Sequence, residues 1–397
     1  MRNDIIEQIL KDIDLPYEVK KKAKDRYEDL GKWLNRDDST IAKYHPYIFP
    51  QGSFLIQTTI RPVSQDGAYD LDIGCKFLNG LTTANISQKE LKEKLRFELE
   101  SYRIARNIKS TIKEKPRCWR LEYQDNMSFH IDIVPCIPAL VFDSCSYGSF
   151  YIDTYLKGEL LLTESNVLAW QKLSLLITDT NNKDYERISD NWHHSNPEGF
   201  AKWFRANAAL DRVREVQSHS VRNEVADLPI TTNKQDTILQ RVVKLLKRHR
   251  DIMFADDDKY APISVIISKL AADAYNGEQE LGESLINVIS GIQKALRDNT
   301  TYIPNPTEAK ENYADKWIND SLYLHNFKAW LIRAKQDFRN LTKLDITRET
   351  AEHIIRHNFK LPFGEAYMKL TQGQSKTHQA QLHPFNISSA KTKPWVE

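Results

Sequence analysis

The chain has 397 residues, 41% hydrophobic and 28% charged, with 56 Lys+Arg against 54 Asp+Glu for a net charge of +2. This length allows two domains with a sizeable core, and the near balance of charge supplies no overall field for gathering nucleic acid, so a nucleic-acid partner is not expected. No stretch approaches 18 uninterrupted apolar residues and the N-terminus MRNDIIEQILKDIDL is acidic and amphipathic, which excludes a membrane partner and a signal peptide from the expectation.

The first predicted elements are helices. Asn3–Ile13 carries Ile5, Ile6, Ile9, Leu10 and Ile13 at helical spacing, and Pro16 restarts a helix through Leu34 with Val19, Ala23, Tyr27, Leu30 and Trp33 on one face. Both are expected to pack against the sheet that follows. The organising stretch then runs from Gln51 to Phe77. The apolar run Tyr47-Ile48-Phe49 reads as a strand, Gly52-Ser53 as a turn, Ser53–Ile60 as the first turns of a helix, and Asp70-Leu71-Asp72-Ile73 as a half-buried strand. A strand's period of two puts Asp70 and Asp72 on one face. Two carboxylates side by side repel unless a divalent cation lies between them. Gly52 lets the backbone approach a ligand, and turn amides entering a helix attract phosphate. This stretch therefore reads as a metal–nucleotide site. Ser128–Pro135 is a second alternating strand with one acid, Asp132, at its middle; if it lies beside the first, three acids can hold two magnesium ions.

Between and after these strands the expected elements are simpler. Leu78–Asn85 is a loop, Gln88–Tyr102 a helix and Cys118–Tyr123 a strand turning at Gln124-Asp125-Asn126, with Pro135 and Pro138 ending the Asp132 strand. Val141–Tyr155 is polar and aromatic, short strand-like runs follow to Ile177, and Ile188–Pro197 is a loop before a helix Phe200–Val213. His193 and His194 are adjacent rather than spaced for one face, so a solvated pair outweighs a metal site. The four cysteines, Cys75, Cys118, Cys136 and Cys145, form no C-x-x-C pair; buried thiols in a reduced, cytoplasmic protein are expected.

The second half is helical. Asp236 is read as the cap of Thr237–Phe254, whose apolar stripe (Ile238, Val242, Leu245, Leu246, Ile252, Met253) opposes Arg241, Lys244, Lys247, Arg248 and Arg250. Those cations make either a solvated face or a reach toward a triphosphate. Pro262–Tyr275, Leu281–Leu296, Phe327–Leu341 and Thr347–Phe359 follow as helices, the last with His353 and His357 at i and i+4 but no third zinc ligand. From Thr371 the chain turns polar and reads as a loose tail.

Gly52-Ser53, Asp70-x-Asp72 and Asp132 together resemble the motif set of the polymerase-beta-like nucleotidyltransferases. The insert Arg61–Tyr69 resembles that of the bacterial cGAS/DncV-like nucleotidyltransferases, the CD-NTases of anti-phage signalling. Further resemblance lies in Ser195–Phe200, Leu239–Asp251, Pro262-Ile263-Ser264, Ile303–Pro306 and Glu311–Trp317, so that it extends over roughly residues 40 to 370. The resemblance implies an α+β fold: a catalytic lobe with a mixed, largely antiparallel sheet over 1–200, a helical oligoadenylate-synthetase-like lobe over 201–370, and a flexible tail over 371–397. It implies Asp70, Asp72 and Asp132 as catalytic and metal-holding residues, for two Mg2+ or Mn2+ ions. Nucleotide would be bound by Gln51, Gly52, Ser53, Asp70, Lys247 and Ser264, with Lys244 the alternative to Lys247. It implies NTP substrates with ATP among them, a cyclic di- or trinucleotide product, a separate effector protein that the product activates, and a regulatory partner at the C-terminus. A nucleotidyltransferase acting on RNA or protein, or a nucleotide sensor, is the competing expectation.

Overall fold

The alternating segments become one sheet. In the computed structural model, which describes residues 1–64, 67–124, 128–139, 162–211, 236–298 and 300–371, seven strands join: β1 (Pro46–Pro50), β2 (Tyr69–Phe77), β3 (Lys113–Glu114), β4 (Trp119–Tyr123), β5 (Phe129–Pro138), β6 (Leu175–Ile177) and β7 (His193–Ser195). Their order is β1-β2-β5-β4-β3, with β6 pairing to β5 and β7 to β6. β2 and β5 run parallel, and the other pairs are antiparallel. This is the expected mixed, largely antiparallel sheet.

Alternation explains what the sheet buries. Leu71, Ile73, Cys75 and Phe77 of β2, Phe129, Ile131 and Ile133 of β5, and Trp119 and Leu121 of β4 share one face and are buried. Helices α1 (Asp4–Ile13), α2 (Tyr17–Leu34), α3 (Gly52–Leu55) and α4 (Gln88–Ala105) precede or separate these strands. Val19, Ala23, Tyr27 and Leu30 of α2 and Leu91, Leu95 and Leu99 of α4 cover that face. Each buried Val or Leu among them contributes about 1.5–3 kcal/mol by leaving water. Ser87 starts α4 through a capping box with Glu90, so its entry is locally determined.

The described chain forms two compact units, each discontinuous in sequence, whereas the resemblance implies a single boundary near residue 200. One unit is Leu15–Gln240 with Pro304–Tyr313 and contains the sheet. The other comprises Met1–Asp14, Arg241–Ile303 and the chain from Ala314 on. In this second unit Phe327, Trp330, Leu331, Ala334, Phe338 and Leu341 of the helix Leu322–Leu341 are buried at the spacing of one helical face.

Several local expectations are corrected. α1 belongs to the helical unit rather than to the unit that contains the sheet; there Arg2 donates to the Leu370 carbonyl at 2.7 Å and the Tyr367 hydroxyl donates to Asp12 at 2.6 Å. Pro135 does not end β5. On one flank the neighbour changes there from β4 (last pair Trp119–Ile133) to β6 (first pair Cys136–Ile177), and a proline is tolerated where that flank has no partner. Residues Glu164–Gln171 are helical rather than strand-like, capped by Thr163. His193–Ser195 is a strand, not loop, and the next helix starts at Pro197 rather than Phe200. Thr237, not Asp236, caps the following helix, Ile238–Met253: its hydroxyl accepts from Gln240 N, and the Gln240 side chain accepts from Thr237 N. Helix Ser264–Ala274 begins two residues after Pro262. The turn residues Asp125 and Asn126, the segment Val141–Tyr155, Cys145, Val213 and the tail from residue 372 lie outside the described residues.

Candidate active site

The acids come together through register. In the parallel pair β2–β5, Asp72 lies opposite Asp132 and Asp70 opposite His130, and neighbouring strands run about 4.8 Å apart. Because Leu71, Ile73, Ile131 and Ile133 are committed to the core, Asp70, Asp72, His130 and Asp132 all project from the other face. On β4 the same alternation adds Arg120, opposite Asp132, and Glu122, opposite His130. Asp70 is the most open of the group, with 63% of its side chain exposed, against 19% for Asp132.

The turn before β2 presses on these carboxylates. Gln51 N donates to the Asp72 carbonyl at 2.8 Å, which anchors the start of α3 to β2. Gly52 has φ +56°, and a Cβ on it would lie 2.3 Å from Asp72 Oδ2. Glycine is therefore required twice, for the left-handed backbone and for the space. The expected helix over Ser53–Ile60 is a single turn, Gly52–Leu55, broken by Gln57 at φ +59°. Its carbonyl end is tied down: Leu55 O accepts from Arg205 at 2.7 Å and Ile56 O from the Gln240 amide at 3.1 Å. Thr59 donates to the Ser53 hydroxyl at 3.0 Å. Gln51, Gly52 and Ser53 thus form a fixed turn beside Asp72.

Charge on this face is compensated within the protein. Arg120 makes a two-pronged pair with Asp132, Nε to Oδ1 at 2.6 Å and Nη2 to Oδ2 at 2.7 Å, and its Nη2 is 3.7 Å from Asp70 Oδ1. His130 Nδ1 sits 3.2 Å from both Asp70 Oδ1 and Arg120 Nη1. Glu122 accepts from Lys113 at 2.7 Å. Three hard carboxylate oxygen donors on one face, two of them in register, suit a small divalent cation. Among the described residues no three acidic, His or Cys side chains are gathered closely enough to hold an ion; the Asp132 carboxylate is turned to Arg120. Cys118 borders the face. Burial, then the charges of Asp132 and Asp72, push its thiol up to about 12, so it is not a thiolate nucleophile at neutral pH.

Further residues, not among the predicted site residues, brace this face. Lys76, on the acid-bearing face of β2, donates to Glu198 at 2.5 Å, both buried. Gly74 between them and Asp72 cannot carry a Cβ, which would lie 2.1 Å from the Phe49 ring. Ser195–Phe200, expected to be a loop, is the end of β7 and the start of helix Pro197–Ala208, capped by Asn196 through Gly199 N. It is pinned by the hairpin β8 (Pro304–Asn305) and β9 (Glu308–Asn312). Glu311 accepts from Ser195 at 2.8 Å, Asn196 N at 3.1 Å and Asn305 at 2.6 Å, and the Asn196 amide donates to the Thr307 carbonyl at 3.1 Å. Two motif segments more than 100 residues apart are therefore one polar joint. Asn, Pro and Glu spaced for a helix start was a usable signal; strand alternation placed Arg120 and Lys76 on the acid-bearing face but named neither partner.

Lys247 and Ser264 lie in the helical unit, not on the sheet that carries the acids. The basic face predicted for the helix that carries Lys247 is not solvated. Lys244 is buried and donates to Asp14 at 2.7 Å, Arg241 pairs with Glu7, and Arg248 donates to the Phe359 carbonyl at 3.0 Å. Lys247 is also buried. Ser264 is the first residue of its helix, and its hydroxyl accepts from Arg250 at 3.0 Å. His353 and His357 are exposed with rings 4.6 Å apart, and His193 and His194 face Asp179 and Glu308 at 3.5 and 3.3 Å.

A mixed sheet carrying three aspartates on adjacent strands, with a glycine turn against them, defines a nucleotidyltransferase of the polymerase-beta-like class. Residues 46–136 match the family model of the nucleotidyltransferase domain of DncV-like cyclic GMP-AMP synthases. Over that segment the chain carries a nucleotidyltransferase domain like that of the bacterial cGAS/DncV-like enzymes, the CD-NTases. It is 27% identical over 331 residues to the c-di-GMP synthase of Roseivirga ehrenbergii, covering 82% of this chain and 75% of that protein. It is 23% identical over 372 residues to the cyclic dinucleotide synthase CdnG of Bradyrhizobium diazoefficiens, covering 89% of this chain and 79% of CdnG. The solved structure of that CD-NTase in complex with GTP superposes with a TM-score of 0.62 at 21% identity, over 90% of this chain and 95% of that one. At that identity the superposition establishes the fold, which is the expected α+β one.

Proposed function

We propose that the protein joins NTPs into a cyclic di- or trinucleotide second messenger, releasing pyrophosphate. The observation that carries this reading is the register of Asp72 with Asp132 on adjacent parallel strands, with Asp70 on the same face and the Gly52 turn against Asp72. The names of the two relatives, both cyclic dinucleotide synthases, support a ring as product.

Asp70, Asp72 and Asp132 would hold two Mg2+ ions, with Mn2+ able to replace them. When bound, these ions lower the pKa of the attacking ribose hydroxyl and offset triphosphate charge. Gln51, Gly52 and Ser53 cradle the donor triphosphate, and Lys247 and Ser264 complete its grip. The acceptor hydroxyl, losing its proton near Asp132, attacks the donor α-phosphate; the new O–P bond forms as the bond to the β-phosphate oxygen breaks. Fixed side chains and turn amides contribute by positioning and by charge placed in advance. A second transfer closes the ring. The product would activate a separate effector protein during phage infection in the cytoplasm, where NTPs are found, and a regulatory partner would act at the C-terminal tail. Among the described residues no helix is long and apolar enough to cross a membrane.

Incubating the protein with four labelled NTPs and Mg2+, then with phosphatase, tests the reading. Phosphatase-resistant label is expected from wild type and none from Asp132→Ala, with the variant's far-UV circular dichroism showing that it is folded. Synthesis by Asp132→Ala would overturn the site, and label on added RNA or protein instead would move the activity to those acceptors.

A further inference from the structure

The two-pronged Arg120–Asp132 pair is more than a brace, because it occupies the carboxylate that a metal needs. We propose that Arg120 is the internal counter-ion of Asp132, a gate that makes metal loading at this carboxylate depend on displacement of the guanidinium. The proposal rests on the nucleotidyltransferase reading of Asp132.

The geometry is specific. Arg120 and Asp132 are directly opposite on antiparallel strands, where side chains meet most closely. Both carboxylate oxygens are engaged, at 2.6 and 2.7 Å, by two nitrogens of one planar fork, the strongest arrangement available to a carboxylate within a protein. The side chains are 21% and 19% exposed, so water screens the pair only in part. The neighbours hold the guanidinium in place: His130 Nδ1 lies 3.2 Å from Nη1, and Asp70 Oδ1 lies 3.7 Å from Nη2. A lone divalent ion must therefore compete with a positive group already bound, and must leave that group uncompensated beside itself. An ion arriving on a polyphosphate brings negative charge that offsets the displaced guanidinium. The arrangement thus favours entry of metal with nucleotide over entry of metal alone.

Binding can be read without turnover. Mn2+ is titrated into nucleotide-free, full-length protein previously stripped with EDTA and exchanged into plain buffer, and unbound Mn2+ is followed by its EPR signal. Removing one partner of a part-buried ion pair leaves the other uncompensated, so Arg120→Gln is expected to bind Mn2+ at least roughly tenfold more tightly than wild type. Arg120→Lys, which keeps the charge without the fork, should fall between them. A non-hydrolysable ATP analogue should strengthen wild-type binding far more than binding by Arg120→Gln. In an Asp132→Asn background the tightening should vanish. Equal or weaker Mn2+ binding by Arg120→Gln, with Arg120→Lys also unchanged, would overturn the gate while leaving the nucleotidyltransferase reading intact. Wild type that binds no Mn2+ even with the analogue would remove the reading itself, and the gate with it.

Discussion

Gly52→Ala isolates how closely the turn is built against the acids. The φ of +56° belongs to the left-handed region, which costs a non-glycine residue about 1–2 kcal/mol. The added Cβ would sit 2.3 Å from Asp72 Oδ2 and 3.2 Å from Asp72 Cγ. Reaching ordinary van der Waals separation requires roughly 1 Å of retreat by the carboxylate or the turn. Misplacing a reacting group by that distance costs about a hundredfold in rate. Gly52→Ala should thus lose about 1–2 kcal/mol of stability and about a hundredfold in NTP incorporation per folded molecule. Urea midpoints and initial rates of pyrophosphate release separate the two effects. Gly74→Ala is the comparison: its Cβ would meet the Phe49 ring at 2.1 Å and the Gln51 amide nitrogen at 2.6 Å but not a carboxylate, so it should cost stability and disturb the turn without displacing Asp72. Near-wild-type turnover by Gly52→Ala would refute the claim that Asp72 is positioned by this contact.

Two further perturbations test the support beneath the site. Lys76→Met removes the ammonium that donates to buried Glu198 and should cost about 3–5 kcal/mol, much of it recovered in Lys76→Met/Glu198→Leu; a single-variant loss near zero in urea unfolding would show the pair to be inconsequential. Lys202 has its ammonium drawn down from 10.5 to about 8, first by burial and then by Arg205. Its folded pKa is depressed, so stability is highest above pH 10.5 and falls as pH drops toward 8. Lys202→Met should therefore stabilise the protein at pH 7, by up to roughly 3 kcal/mol, with the gain disappearing near pH 10.5. A gain in urea midpoint that stays constant across this range would contradict that assignment.

What could be read in advance followed periodicity. Alternation in Asp70–Ile73 and Phe129–Val134 placed three acids on one face, and a parallel β2–β5 pair then set Asp72 against Asp132. The helical stripe around Trp330 behaved likewise. Periodicity failed where long-range partners decide the outcome. The cations of Ile238–Met253 look like a solvated face in sequence, yet Lys244, Arg241 and Arg248 are satisfied by Asp14, Glu7 and the Phe359 carbonyl, from segments that no local pattern connects to them. α1 went astray for the same reason: its isoleucines announce a buried face but not which surface buries it.

Arg120 lies between these cases. Its strand was legible, and alternation of Trp119 and Leu121 into the core dictates that Arg120 and Glu122 share the acid-bearing face. Its pairing with Asp132 depends on the register of a hairpin, and a shift of one residue would have sent the guanidinium into the core. Burying Trp119, Leu121, Ile131 and Ile133 therefore does more than stabilise the sheet. It excludes that shift, and so determines that the third carboxylate meets an arginine. The apolar pattern fixes the electrostatics on the opposite side of the same strands.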